Sequence, residues 1–147
     1  MKLLNIVHEE FSCQRDGLKI CGSMFRPKGN GPFPTIVVSH EFMMNRLTTL
    51  QYAIMFARMG YAAFCYDFNG GGSISQSEGK TTDMSVLTEV KDLKAVIDYV
   101  GKQPYTDMDN FNLMGCSQGG FVSALVAAEL GADFVKKLVL FYPALSI

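Results

Sequence analysis

Short apolar runs alternate with segments of helical period along this chain, and this alternation constrains the fold more than any other feature. Residues 35–39 and 61–66 have apolar side chains at consecutive positions, which is typical of strands buried on both faces. Between them, apolar residues recur at helical spacing over 47–60. The pattern continues with a helical segment, a short run, another helical segment and a last run: 86–100, 111–114, 119–130 and 137–142.

The first thirty residues have a different pattern. Runs at 4–11 and 18–25 flank the turn residues Arg15-Asp16-Gly17, which predicts a β-hairpin. The alternating strands and helices that follow predict right-handed crossovers and a mainly parallel sheet with helices on both faces. We therefore expect one α/β domain over residues 1–147, with an antiparallel amino-terminal edge and ligands at the carboxyl ends of the strands.

Composition excludes several classes of protein. Thirteen Lys and Arg residues against fourteen Asp and Glu give a net charge of −1 without a long block of either sign, which does not favour nucleic acid as a partner. The apolar run in the first ten residues is too short for a secretory signal, and no run has membrane length, so we expect a cytoplasmic protein without membrane association. The four cysteines lack C-x-x-C spacing, and we expect no disulfide, metal or cofactor.

Residues 111–120 contain two adjacent candidate nucleophiles, Cys116 and Ser117. In a G-x-S-x-G motif the nucleophile occupies a sharp turn from strand to helix, and glycines flank it because side chains there would collide with neighbouring backbone. Gly115 and Gly119 bracket the serine, whereas the cysteine would have larger residues in both positions. The pattern predicts Ser117 as the nucleophile and Cys116 as a spacer. The alternative is that the serine only caps the following helix.

The groups that would assist a nucleophile follow from the same turn. The Gln118 amide, at the start of a helix, would face a developing oxyanion, and a second amide is expected from the loop His40-Glu41-Phe42. A general base is harder to find, because the only two histidines, His8 and His40, both lie upstream. We expect His40 to brace its loop by hydrogen bonds and His8 to be a surface or packing residue.

Two other features have structural explanations. Gly70-Gly71-Gly72-Ser73 follows a strand, but it lacks the spacing of G-x-G-x-x-G and leads into a polar loop, which does not favour a dinucleotide site. Asp67 could serve as an acid, although we expect it to fix the glycine turn by hydrogen bonds to the backbone. Cys65 lies within an apolar run and is expected to be a small buried residue.

Three motifs, Ser39-His40-Glu41-Phe42, the segment 67–73 and the segment 115–120, occur in this order. With them the chain resembles the α/β-hydrolase superfamily over nearly its whole length and, within it, the bacterial cinnamoyl/feruloyl esterase-like serine hydrolases. The resemblance implies Ser117 as nucleophile, the amides of Phe42 and Gln118 as oxyanion hole, and acyl transfer through an acyl-enzyme. The family usually has glycine where Glu41 stands and commonly histidine where Gly71 stands.

The family order of serine, then acid, then histidine implies that the last two lie beyond residue 147. We therefore expect an amino-terminal half whose last strands and cap are missing, with very low activity by itself. The expected function is hydrolysis of small esters, including aromatic ones of the cinnamoyl or feruloyl kind. The alternative is a non-catalytic module that binds an acyl or aromatic ligand or a partner chain.

The last predicted strand suggests self-association. Residues 138–142 form the outermost strand of the predicted sheet and contain neither charge nor proline. Such an edge presents unpaired backbone groups to another chain. We therefore expect a homo-oligomer that forms through this edge.

Overall fold

The computed structural model describes residues 2–145; Met1, Ser146 and Ile147 lie outside the described part. An initial hairpin of two strands is followed by four more strands, which alternate with three α-helices. The strands are β1 Ile6–Arg15, β2 Leu18–Pro27, β3 Phe33–Ser39, β4 Ala62–Tyr66, β5 Thr106–Cys116 and β6 Val135–Phe141. The α-helices are α1 Leu50–Arg58, α2 Val86–Gly101 and α3 Gln118–Leu130.

The six strands form one sheet in the order β1-β2-β4-β3-β5-β6. β1 pairs with β2 and β2 with β4 in antiparallel fashion, whereas β3, β4, β5 and β6 are parallel to one another. The predicted α/β architecture, a mainly parallel sheet with an antiparallel amino-terminal hairpin, is confirmed. β6 lies at one edge of the sheet, as expected.

Both faces of the central sheet are covered. In β3, Val37 packs into the core on the side of α2 and α3, together with Leu93 of α2. Its neighbours Ile36 and Val38 point to the opposite face, where Ala53 of α1 packs against them. Because successive side chains of a strand alternate between faces, a strand covered on both sides needs apolar residues at every position. This explains the consecutive apolar residues at 35–39.

β5 and β6 begin before the apolar runs that predicted them. β5 begins at Thr106 because its polar start pairs with the beginning of β3, and a register shift after Pro34 accommodates the extra residues. β6 begins at Val135 and includes Lys136 and Lys137. The edge strand therefore does carry charge, although the lysines lie before the predicted stretch 138–142.

The first helical segment is divided. A short 3-10 turn covers Arg46–Thr48, and α1 begins only at Leu50. Asn45 caps the 3-10 turn by accepting a hydrogen bond from the backbone of Leu47 at 2.9 Å.

Within residues 2–145 no helix combines the length and hydrophobicity that crossing a bilayer requires.

Candidate active site

Ser117 joins β5 to α3 without an intervening loop. Its backbone has φ 51° and ψ −119°, a combination that is strained for any residue with a side chain. The end of β6 and the loop after it hold Ser117 there, because the N–H of Ser117 donates to the carbonyl of Phe141 and its carbonyl accepts from the N–H of Ala144, both at 3.0 Å. The side chain is partly exposed and makes no capping hydrogen bond, so the helix-cap alternative is wrong.

The two glycines around Ser117 have no room for a side chain. A Cβ on Gly115 would overlap the Gly119 carbonyl and lie 2.5 Å from the amide nitrogen of Gly120. A Cβ on Gly119 would overlap the carbonyl oxygens at the end of β3 and lie 2.6 Å from the carbonyl carbon of Ser39. The collision that the motif predicts is therefore present, and Gly119 brings the nucleophile turn against the loop that follows β3.

This close approach brings the loop that contains Phe42 against the turn that contains Gln118. Ser39 of β3 is paired with Gly115 of β5, and Phe42 and Gln118 each follow three residues after this pair. Neither of their backbone amides donates to a backbone carbonyl within residues 2–145. They are thus available to a bound molecule, as an oxyanion hole requires.

The loop after β3 accommodates a glutamate where the related family has glycine. Glu41 is not among the residues with positive φ, so its conformation does not need glycine. Its carboxylate instead accepts a hydrogen bond from Oγ1 of Thr48 at 2.8 Å. The left-handed residue of this loop is Met43, with φ 59°.

His40 braces the same loop. Its Nε2 accepts a hydrogen bond from the backbone of Phe68 at 3.1 Å, so the proton lies on Nδ1, which donates to the carbonyl of Glu41 at 2.6 Å. Burial lowers the pKa of His40, although the bond to Glu41 opposes this effect. A neutral ring with both nitrogens engaged cannot also take a proton from Ser117.

His8 is too distant to act as the base. It lies exposed on β1, where its ring stacks on Phe25 with 4.5 Å between the centroids. β1 is four strands away from β5, which corresponds to about 19 Å at the usual strand spacing. The loop after β3 thus packs on the turn of Ser117, but the ring of His40 in that loop is engaged at both nitrogens and His8 lies at the far edge of the sheet.

Residues 16–143 match the family described as X-Pro dipeptidyl-peptidase (S15 family). The chain belongs to the S15 family. It is also 30% identical over 95 residues to an uncharacterised 31.7 kDa protein from the traX-finO intergenic region of Escherichia coli. The match covers 64% of this chain and 32% of that relative.

Solved structures of α/β hydrolases resemble this S15-family chain closely. Est1E from Butyrivibrio proteoclasticus, with ferulic acid bound, is 27% identical, with a TM-score of 0.79 over 91% of this chain and 53% of its own. The α/β hydrolase GrgF from a Penicillium species is 25% identical, with a TM-score of 0.77 over 95% and 46%. The chain thus spans about a third of the curated relative and about half of these structures. The resemblance to esterase-like α/β hydrolases is confirmed.

Burial keeps the thiol of the cysteine beside Ser117 protonated in this S15-family chain. Cys116 is buried, and its burial, with some effect of the Glu41 charge, raises its pKa to about 11. Burial likewise raises the pKa of Cys65 to about 12. A thiol with such a pKa remains protonated at neutral pH and is a poor nucleophile. This agrees with the assignment of Cys116 as a spacer.

Asp67 does not bind the glycine turn, so that prediction is wrong. Its carboxylate accepts hydrogen bonds from the backbone and the guanidinium of Arg46 at 2.7 and 2.8 Å, and from the backbone of Gln76 at 2.9 Å. The glycine turn instead packs directly on the loop after β3, since a Cβ on Gly72 would lie 2.8 Å from the Met44 carbonyl oxygen. Sequence alone did not indicate that Arg46 would be buried beside this carboxylate.

Sequence reasoning also missed Glu89. This residue of α2 is buried, and its carboxylate accepts a hydrogen bond from Nε2 of Gln118, directly after the serine. The available signal was its position, because it lies three residues after Val86 and four before Leu93 on the apolar face of the helix.

Within residues 2–145 no three His, Cys, Asp or Glu side chains are grouped as a metal ion would require.

Proposed function

We propose that this chain supplies the nucleophile and the oxyanion hole of a serine hydrolase that cleaves carboxylic esters. The observation that carries the proposal is the strained backbone of Ser117, whose hydroxyl is not used as a cap. Strain of this kind costs about 1–3 kcal/mol and is typical of functional sites. A residue that only connected a strand to a helix would have no reason to adopt it.

The proposed reaction proceeds through an acyl-enzyme. Oγ of Ser117 forms a bond to the ester carbonyl carbon while its proton passes to a base. The negative charge on the carbonyl oxygen is stabilised by the amides of Phe42 and Gln118. The bond to the alcohol oxygen then breaks, the alcohol leaves with the proton, and water hydrolyses the acyl-serine to release the acid.

We further propose that the catalytic histidine and acid come from outside residues 1–147. His40 is engaged at both ring nitrogens and His8 lies on the far edge of the sheet. The 147-residue chain should therefore turn over activated aryl esters very slowly, since loss of a triad member lowers the rate by orders of magnitude. Turnover on the order of 1–1000 s⁻¹ that Ser117→Ala abolishes would show that a base lies within this chain.

Small esters, including aromatic ones of the cinnamoyl or feruloyl kind, are the proposed substrates. Support comes from the 27% identity to Est1E, which was solved with ferulic acid bound. Apolar side chains on the loop after β3 and at the end of β6 are also exposed, and an aromatic acyl group could pack against them: Phe42, Met43, Met44, Phe141 and Tyr142.

Peptides with an X-Pro amino terminus are a second candidate substrate class, which the S15 family match favours. The same nucleophile and oxyanion hole would serve for an amide, because both reactions pass through an acyl-enzyme. Slow acylation distinguishes them: mass spectrometry of the intact chain would show a feruloyl or an X-Pro dipeptidyl adduct after incubation with the corresponding p-nitrophenyl ester or p-nitroanilide.

A fluorophosphonate probe tests the nucleophile itself. Peptide mapping should find the phosphonate on Ser117, Ser117→Ala should abolish labelling, and Cys116→Ala should retain it. A chain modified only at Cys116, or labelled equally after Ser117→Ala, would contradict the assignment. Because a chain without its base should react slowly, the incubation is prolonged at high probe concentration; a folded chain that still carries no phosphonate would favour the non-catalytic binding module.

A further inference from the structure

Glu89 is a buried carboxylic acid that the proposed mechanism leaves unused. It lies in the first turn of α2, and only 1% of its surface is exposed. Its Oε1 accepts a hydrogen bond from Nε2 of Gln118. Because Gln118 follows Ser117 directly and opens α3, this bond joins α2 to the first turn of the nucleophile helix.

Among residues 2–145, no cationic side chain compensates the charge of Glu89. Asp92, one turn further on α2, is bound by Nε of Arg15 at 2.8 Å, and Gln118 approaches Glu89 from α3. The phenol of Tyr66 in β4 is bound to Ser39, and its pKa is raised mainly by burial, with a smaller effect of the Glu89 charge. Within residues 2–145 no basic side chain forms an ion pair with Glu89. Burial raises the pKa of Glu89 to about 7; the bond from Gln118 opposes this rise, and the charge of Asp92 adds to it.

We propose that Glu89 is a positioning residue whose ionised carboxylate anchors the Gln118 side chain and thereby holds the Gln118 amide in place for the oxyanion. The role of the amide depends on the function proposed above, whereas the anchoring of the side chain does not. A carboxylate accepts a stronger hydrogen bond than a neutral carboxylic acid does. The reactivity of Ser117 should therefore increase as Glu89 loses its proton.

Nuclear magnetic resonance tests the anchoring without any activity. In the ¹⁵N-labelled 147-residue chain, the side-chain and backbone amide signals of Gln118 should titrate with a midpoint near pH 7. Glu89→Gln should remove this titration, whereas Glu9→Gln, which changes an exposed carboxylate on β1, should leave it unchanged. Signals that do not titrate, or that still titrate in Glu89→Gln because they follow Asp92, would overturn the anchoring.

The reverse substitution gives a second test of the same bond. Gln118→Ala removes the donor that favours the charged form of Glu89. The ¹³Cδ signal of Glu89 should then titrate with a midpoint raised by roughly half a pH unit or more. An unchanged midpoint would count against the bond even if Glu89→Gln failed to fold.

Fluorophosphonate labelling tests the effect on the nucleophile. The ratio of the labelling rates of the unmodified chain and Glu89→Gln should be near one at pH 5.5 and about five-fold higher at pH 8.5, as expected for one charge-assisted hydrogen bond. Taking the ratio cancels the general dependence of the reaction on pH. If Ser117 is labelled but the ratio does not change with pH, the role of Glu89 is refuted and the proposed function is not. If neither protein is labelled, both are refuted.

Discussion

Gly119→Ala should separate the nucleophile turn from the loop after β3. The new Cβ would overlap the carbonyl oxygens of Ser39 and His40, and backbone atoms cannot turn aside as a flexible side chain can. Overpacking of this kind typically costs about 1–3 kcal/mol, which exceeds the gain of up to about 1 kcal/mol that alanine brings to a helix. Since Gly101→Ala in another helix has the same propensity gain, we expect Gly119→Ala to be less stable than that variant by about 1–3 kcal/mol in the free energy of unfolding.

Gly101→Ala is the matched control, because Gly101 also lies in a helix but a Cβ there would meet only the Met108 side chain, at 3.7 Å. This substitution should leave stability unchanged or raise it by up to about 1 kcal/mol. Urea unfolding followed by circular dichroism would measure both changes, and fluorophosphonate labelling of Ser117 should fall only in Gly119→Ala. If Gly119→Ala unfolded at the same urea concentration as Gly101→Ala, the close packing of the turn on this loop would be refuted.

The remaining predictions concern buried charge, the braced loop and the sheet edge. The raised pKa of Glu89 means that its burial destabilises the fold as pH rises from about 4.5 to about 7. The free energy of unfolding of Glu89→Gln should therefore exceed that of the unmodified chain by on the order of 3 kcal/mol at pH 8 and by little at pH 4.5. The lowered pKa of His40 has the opposite sign: stability should fall as pH drops below about 6.5, and His40→Gln should weaken this dependence in urea unfolding at pH 5 and 7. We also propose that β6 pairs antiparallel with a second copy, which keeps Lys136 and Lys137 of the two chains apart. Light scattering at tens of micromolar should then show a dimer that Leu140→Lys disperses and the control Leu87→Lys, on the exposed surface of α2, does not; a strictly monomeric unmodified chain would contradict the proposal.

The sequence predicted the fold well where a local pattern reports burial directly. Consecutive apolar residues at 35–39 and 61–66 indicated strands covered on both faces, and the structure places helices on both sides of β3 and β4. It predicted less where polar residues extend a strand. β5 begins at Thr106 because it pairs with the start of β3, and no apolar period marks a pairing between backbones.

The sequence by itself determined which residue occupies the sharp turn between β5 and α3. Gly115 and Gly119 fit only Ser117, because the excluded volume of a Cβ at these positions is a local property of a strand that turns directly into a helix. Only the tertiary structure decided what surrounds this turn. His40 is bound to Phe68 of the next strand-end loop, and Glu89 is bound to Gln118 from another helix. These contacts join residues 28 and 29 positions apart, and hydrogen bonding and burial depend on proximity in space, which no spacing along the chain encodes.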